Sequence, residues 1–253
     1  MTQTLPLKAL SIILWTWFLV SSIIFTPVIT VLWLLTFWFD RNLRIVHKFS
    51  CFWGAQYIWM TPLWRLKIID RKKFNDHKAC IVISNHQSLV DIIVIYSLFK
   101  HFRWTSKVEN FKLPFVGWVL AFNRSIKVYR TSPEAYRLFK NQAVKAHAKG
   151  NSIMIFPEGT RSKDGNMGRF RDGAFRLAHD LKADILPMVL DGSARAIPKT
   201  GWSLTGKQRI VLKVLDPVSY EEFENLNIKE TRTKFQNLIS DELKTLRENT
   251  NNQ

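Results

Sequence analysis

An α/β domain carried behind an amino-terminal membrane-embedded helical segment is the fold class this sequence predicts. Three observations predict it. Residues 9–39 contain no charged side chain. From about residue 64 onward, short β-rich runs alternate with stretches of helical periodicity, the pattern of helices covering a largely buried sheet. A chain of 253 residues with 47% hydrophobic content is also long and apolar enough to bury a real core. The expected division is 1–63 as a membrane-embedded and interfacial helical region and 64–253 as the α/β domain.

The first element is "ALSIILWTWFLVSSIIFTPVITVLWLLTFWF", 31 uncharged positions. It is too long for the apolar core of a signal peptide and has no small-residue cleavage pattern after it. One bilayer crossing takes about 20 residues and two take about 40, so the length fits a single tilted span or a shallow hairpin bent near Pro27. Lys8 precedes the segment, whereas Arg41, Arg44 and Lys48 follow it, which puts the rest of the chain on the cytoplasmic face of the membrane. Seven of the ten tryptophans fall in the first 64 residues, as suits a region that meets a membrane interface repeatedly.

The runs "LKIID", "CIVIS", "IKVY", "IMIF", "ILPMVL" and "RIVLKVL" read as strands. Helices are expected from Ser88 to about Lys100, Pro133 to about Lys149, Phe170 to Leu181 and from about Lys229, with "ENTNNQ" as a frayed end. In the second of these, Tyr136, Phe139, Val144 and Ala148 would form the inward stripe. The formal net charge of +17 attracts polyanions, whether nucleic acid, anionic lipid or a phosphorylated substrate. Zinc-finger spacing, a basic zipper and an aromatic RNA-binding signature are all missing, so no nucleic-acid partner is expected. The two cysteines, Cys51 and Cys80, read as ordinary buried thiols rather than a disulfide framework or a metal site.

Two stretches carry chemistry. In "SNHQSLVD", His86 and Asp91 would point about 140° apart on a regular helix. With Ser88 as N-cap and Asp91 three residues later, the helix instead begins after the histidine, which can fold back onto the carboxylate. One imidazole nitrogen would then be oriented by Asp91 and the other left to take a proton from a hydroxyl. The plainer alternative is a capping aspartate beside an unreactive turn histidine. In "IMIFPEGTRS", a strand stopped by Pro157 and turned at Gly159 exposes backbone donors, and Arg161 adds a guanidinium that can fork around phosphate. Here the plainer alternative is a Glu158–Arg161 pair that stiffens a loop. "GRFRDGAF" adds Arg169 and Arg171 near a helix start, again favourable for an anion.

These blocks resemble the glycerolipid acyltransferase family that includes 1-acylglycerol-3-phosphate acyltransferases. "NHQSLVD" matches its N-H-x-x-x-x-D block and "FPEGTRS" its F-P-E-G-T-R-S block, in the same order. Between them, Lys107, Glu109, Pro114, Gly117 and Arg130 fall at recognisable places, and Pro187 in "ILPMVL" resembles the fourth block. The resemblance covers roughly residues 64–216. "RSIKVYR" departs from the family's G-x-[IV]-[FPY]-[IV]-D-R: Arg124 replaces the glycine, Lys127 the aromatic or proline, and Tyr129 the aspartate.

The resemblance implies a glycerol-3-phosphate acyltransferase-like mixed sheet flanked by helices over 64–253. It also implies acyl transfer from acyl-coenzyme A or acyl-carrier protein to the free hydroxyl of 1-acylglycerol-3-phosphate, making phosphatidic acid. The alternative acceptors are another lysophospholipid or an amino-acid-containing lysolipid. His86 would be the general base and Asp91 its orienting partner. Glu158, Gly159, Thr160 and Arg161 would bind the phosphorylated acceptor, Glu158 by positioning Arg161 or a glycerol hydroxyl, with Arg130 assisting and Lys107 near the acyl carbonyl. The acyl thioester is a substrate, and no cofactor or metal is expected; His86 and Asp91 are only two potential ligands. A serine acyl-enzyme through Ser84 or Ser88 lacks the G-x-S-x-G elbow. His77, His101, His147 and His179 read as surface or helix residues without a role. Membrane lipids and an anionic lysophospholipid are the expected partners, at a bacterial inner membrane.

Overall fold

The computed structural model describes residues 5–251 except 76–77, 131–132, 163 and 199–200, so His77 lies outside the described residues. Leu5–Thr36 forms one continuous helix, α1, that runs through Pro27. The hairpin bent at Pro27 is therefore not what forms; at 1.5 Å per residue the helix is about 48 Å long. Its amphipathicity is inverted. Ser11, Ser21, Ser22, Thr26 and Thr36 are buried, while Ile12, Ile13, Ile23, Ile24, Leu34 and Leu35 face outward. Ser11 and Ser22 turn their hydroxyls back onto the carbonyls of Leu7 and Phe18, each at 2.6 Å, which spares them a cost of burial. An apolar outer face over a polar inner one is the arrangement lipid favours and water does not.

A short turn leads to α2, Arg44–Met60, which lies along α1. Trp17 Nε1 donates to Gln56 Oε1 at 3.1 Å, and the Ser21 and Tyr57 hydroxyls share a hydrogen bond of 2.6 Å. Both ends of α1 also rest on the α/β domain. Near its start, Leu204 N–H donates to Ser11 Oγ at 2.8 Å and Trp15 Nε1 to the Trp202 carbonyl at 2.6 Å. Near its end, the Trp33 ring meets Phe122 at 5.8 Å.

Among the described residues the domain is built on seven strands: β1 Trp64–Ile69, β2 Ile81–Ser84, β3 Phe102–Lys107, β4 Ile126–Val128, β5 Ser152–Ile155, β6 Ile185–Asp191 and β7 Gln208–Val214. Their order is β1-β7-β6-β2-β5-β3-β4. Among the described strands only the β6–β7 pairing is antiparallel, so the sheet is mixed as expected. Alternation along β2 sorts Val82 to one face with Met154 and Leu186, and Ile81 and Ile83 to the other with Ile153 and Ile155.

The helices α3 Val90–Tyr96, α4 Val116–Phe122, α5 Ala135–His147, α6 Gly173–Leu181, α7 Ser193–Ala196 and α8 Ile228–Asn251 complete the chain. Several sequence expectations need correcting. Helix α3 stops short of Lys100, because the chain leaves it through Phe99 at φ 50 to enter β3. On α5 the buried residues are Phe139 and Ala143, while Val144 is 38% exposed. Of the tail expected to fray, the part up to Asn251 continues α8, which packs Phe235, Ile239, Leu243 and Leu246 into the core ahead of it, and its last two residues lie outside the described residues. His101 is not a surface residue: it sits before β3, with Nε2 on Asn151 Oδ1 at 2.8 Å.

Candidate active site

Strand β2 ends at Ser84, and the loop that follows it is fixed residue by residue. Asn85, fully buried, imitates a strand residue: its Nδ2 donates to the Leu190 carbonyl and its Oδ1 accepts the Leu190 N–H, both at 2.8 Å. That clamp on β6 sets where the next residue, His86, leaves the sheet. The His86 ring lies face to face with Phe156, with centroids 3.9 Å apart and planes 11° from parallel. Sequence reasoning gave neither Asn85 nor Phe156 a role, although both stand inside the quoted blocks.

His86 Nδ1 is 2.8 Å from Asp91 Oδ2, so the fold-back expected from the sequence occurs. Asp91 is fully buried, and the same oxygen accepts the N–H groups of Gln87 at 2.6 Å and Ser88 at 2.9 Å. The carboxylate thus does both jobs weighed above, capping the chain ahead of α3 and holding the imidazole. Ser88 Oγ is committed elsewhere, donating to the Ile197 carbonyl at 2.8 Å and accepting the Val90 N–H at 3.3 Å. Ser84 is fully buried, its hydroxyl turned to the Asn85 carbonyl. Neither serine is presented as a nucleophile, and among the described residues no cluster of His, Cys, Asp and Glu could hold a metal ion.

The second block reaches the first through Glu158, which is 4% exposed. Its Oε1 accepts the His86 N–H at 2.7 Å and its Oε2 the Gly168 N–H at 2.8 Å. Ser162 N–H donates to the His86 carbonyl at 2.8 Å, closing the tie from the other side. A buried carboxylate must be compensated by donors, and these bonds supply them. Glu158 is therefore a clamp between the histidine turn and the 158–168 loop. Gln87, whose Oε1 accepts from Ser193 Oγ at 3.2 Å, braces the same loop by donating to the Gly165 carbonyl at 3.3 Å.

Gly159 takes φ +66, a left-handed turn that suits glycine. A Cβ there would stand 3.2 Å from Arg171 Nε and 3.5 Å from Arg130 Nη2, and Arg130 Nη2 donates to the Gly159 carbonyl. Around this turn Lys107 from the end of β3, Arg130, Arg161 and Arg171 converge. Burial, then the charge of Arg130 and beyond it those of Arg161 and Arg171, hold the Lys107 ammonium below its ordinary value against a pull from Glu109. Arg130 is lowered in the same way, by burial and then by Arg171. Four cations gathered round one turn, with Lys107 and Arg130 held low by burial and by their neighbours, make a site that an anion would relieve. Arg171 belongs to this group more closely than its position at a helix start indicated; its N–H also bonds the Pro157 carbonyl at 2.9 Å.

His86 and these cations line one cavity of about 1000 Å³. From the polar end it extends between the sheet edge and the α1–α2 pair, where Trp15, Phe18, Trp53, Tyr57, Tyr96 and Trp104 form its wall. A lipid-sized molecule with an anionic head fits that division. Thr160 lines the cavity and is exposed. Of the three departures in "RSIKVYR", only Tyr129 lines it.

Comparison with known proteins gives consistent matches. The acyltransferase family model matches residues 65–191, half of the chain. The chain is 29% identical over 207 residues to a chloroplastic 1-acyl-sn-glycerol-3-phosphate acyltransferase of Brassica napus, covering 80% of this chain and 59% of that one. It is 33% identical over 127 residues to the 1-acyl-sn-glycerol-3-phosphate acyltransferase of Pseudomonas aeruginosa, covering 50% and 49%. The chain thus spans roughly half the length of these curated relatives. The crystal structure of the 1-acyl-sn-glycerophosphate acyltransferase of Thermotoga maritima superposes with a TM-score of 0.75 at 22% identity, over 95% of this chain and 97% of that one.

Proposed function

The chain belongs to the acyltransferase family, and from that premise we propose that it transfers a fatty acyl group from an acyl thioester to the free hydroxyl of 1-acylglycerol-3-phosphate, yielding phosphatidic acid. One observation carries the reading: the His86–Asp91 pair opens on the same cavity as the cation cluster and the aromatic groove. With Nδ1 held by Asp91, Nε2 is the nitrogen left to accept the acceptor's hydroxyl proton. The oxygen then attacks the thioester carbonyl, and the thiolate leaves and is reprotonated. Asp91 stabilises the imidazolium formed meanwhile.

Lys107, Arg130, Arg161 and Arg171 suit a phosphomonoester, because guanidinium groups fork around phosphate oxygens. Gly159 and Thr160 shape the turn at which that phosphate would sit, and Glu158 acts by fixing the turn rather than by touching phosphate. Tyr129, where the family pattern has aspartate, leaves these cations without one competing carboxylate. Acyl-coenzyme A and acyl-carrier protein remain the two donors to compare.

The contacts of α1 support a membrane reading without a crossing. Ser11 and Trp33, each held to the α/β domain, are about 33 Å apart along the helix. A hydrocarbon core is about 30 Å thick. A helix perpendicular to the bilayer would drag one of those contacts through it, so α1 lies in one leaflet with its apolar face in lipid and the domain on a single side.

The test is acyl transfer to lysophosphatidate from each donor, comparing wild type and His86→Ala in matched detergent. Turnover by the wild type that is lost in a folded variant is expected. Full activity in the variant would end the general-base assignment, and an inactive wild type would end the choice of acceptor.

A further inference from the structure

The chain between β3 and β4 carries an exposed apolar patch that the reaction does not account for. Leu113 is 50%, Val116 38% and Trp118 49% exposed within six residues. The same segment meets the rest of the molecule on two sides. Leu113, Phe115 and Val116 form part of the cavity wall. Val119 and Phe122 of α4 pack against Trp33 of α1 and the buried Ile29, Leu43 and Val46.

The backbone holds this arrangement at a cost. Phe115 has φ 60, and a Cβ on Gly117 would stand 2.2 Å from the Phe111 carbonyl oxygen. A bulky residue at positive φ persists where surrounding structure over-determines it. Trp118, half exposed beside this packed face, has the Phe115 ring edge-on to it at 5.3 Å.

We propose that the Leu113–Trp118 segment is a second lipid-contacting surface, and that the lysolipid acceptor enters the cavity sideways past it, directly from the bilayer. The inference rests on the acyl-transfer reading for the identity of what enters, but not for the lipid contact itself. Lipid is the occupant for two reasons. The patch adjoins α1, whose outward face is apolar, because Phe122 of α4 meets Trp33 at 5.8 Å. It is also bordered by exposed Lys112 and Arg124, which suit anionic headgroups, while tryptophan suits the interface between headgroup and acyl chain. An acceptor already sitting in that leaflet would keep its acyl chain in apolar surroundings throughout, with its phosphate drawn toward Lys107 and Arg161.

The experiment uses the full chain with a fluorescent label at Trp118→Cys, bound to phosphatidylcholine–phosphatidylglycerol vesicles that contain acyl-chain nitroxide lipids. Quenching is expected at position 118 and in a Leu34→Cys control on α1, but not in a Lys145→Cys control on α5. A label at 118 that stays bright while the one at 34 is quenched would overturn the proposal, including the case in which the patch covers a second copy of the chain. In parallel, Trp118→Gln is assayed on long-chain lysophosphatidate in vesicles and on a six-carbon lysophosphatidate free in solution. The KM is expected to rise about tenfold on vesicles, as loss of one large buried apolar group implies, and to stay put in solution. Equal losses on both would mark Trp118 as merely structural and overturn the entry route. If the wild type turned over neither acceptor, the acyl-transfer reading would fall, and the quenching would still decide the lipid contact.

Discussion

His86 and His47 sit in the same molecule with opposite surroundings. His86 stands on a turn at the open end of β2, holds a buried carboxylate at 2.8 Å and lines the cavity. His47, on α2, is 2% exposed and is enclosed by Phe102, Tyr96 and His101. Its Nε2 meets the Lys100 carbonyl at 3.1 Å. Burial first, then His101 and Arg103, push His47 down to about 3. His101 is pushed down to about 4, by burial above all. Arg103, itself buried, donates to the carbonyls of Asn42 and Asn123, so this polar knot joins the α1–α2 unit to β3 and α4. A carboxylate and an open cavity suit one histidine to the proposed role of base; burial above all, then nearby charge, keeps the other a neutral stitch.

The largest effect expected tests that contrast by exchange. His86→Ala should lower kcat by about 10³-fold, with Asp91→Asn close behind, while the thermal midpoint of His86→Ala stays near that of the wild type. His47→Ala should do the reverse, costing about 2–4 kcal/mol of stability with little change in turnover per folded molecule. If His47→Ala lowered the kcat of folded protein as much as His86→Ala, the contrast would collapse. Next come the cations. Arg161→Ala and Arg171→Ala should each raise the KM for lysophosphatidate about 10–100-fold, as the loss of a charge-assisted hydrogen bond implies. A rise confined to the KM of the acyl donor would reassign the cluster to the donor's phosphates.

Acidification offers a third test with a fixed sign. His47 binds its proton near 3 in the folded chain and near 6.5 when unfolded, so between those values the unfolded state takes up the proton. Stability is complete above pH 6.5 and declines as pH falls through the window, by up to ~1.4 kcal/mol per pH unit. At pH 5 the loss from His47 is about 2 kcal/mol, and His101 adds to it in the same direction. Guanidinium unfolding at pH 7 and pH 5 should show a smaller loss in His47→Phe than in wild type. Equal losses in both would place the acid sensitivity elsewhere.

The two histidines also show what a sequence makes legible. The His86 turn could be read because cap, carboxylate and strand end all lie within eight consecutive residues. His47, His101, Asn123 and Asn151 meet only through tertiary packing, and nothing in their local spacing announces it. Strand β3 escaped notice for a related reason: Arg103 is its second residue, and a buried strand arginine looks like a solvent-facing one until Asn42 and Asn123 supply acceptors. Helix α4 was hidden by its glycine and short length. The six strands that were expected have β-branched or apolar runs, and each of them forms. At the site, the Glu158 clamp was out of reach because its bonds to His86 and Gly168 go to backbone N–H groups, which leave no mark in side-chain spacing.

The smallest expected effects concern "RSIKVYR", where sequence departs from the family pattern. Arg124 takes φ 48 at the pattern's glycine position and donates to the Arg41 carbonyl at 3.2 Å. Lys127 lies over the Phe111 ring, 5.2 Å from its centroid, rather than along the cavity wall. Tyr129 alone lines the cavity. Tyr129→Asp should therefore raise the KM for lysophosphatidate about fivefold, the scale of ~1 kcal/mol between charges at an aqueous surface. Lys127→Ala should change that KM less than about twofold and cost only ~0.5 kcal/mol of stability, the worth of an exposed cation–π contact. Reversal of this order, with Lys127 mattering more than Tyr129, would mean that the acceptor's head reaches past Arg130 to the outer side of β4. The acceptor would then be a larger headgroup than a phosphomonoester, since only a longer polar group spans from the Gly159 turn to that lysine.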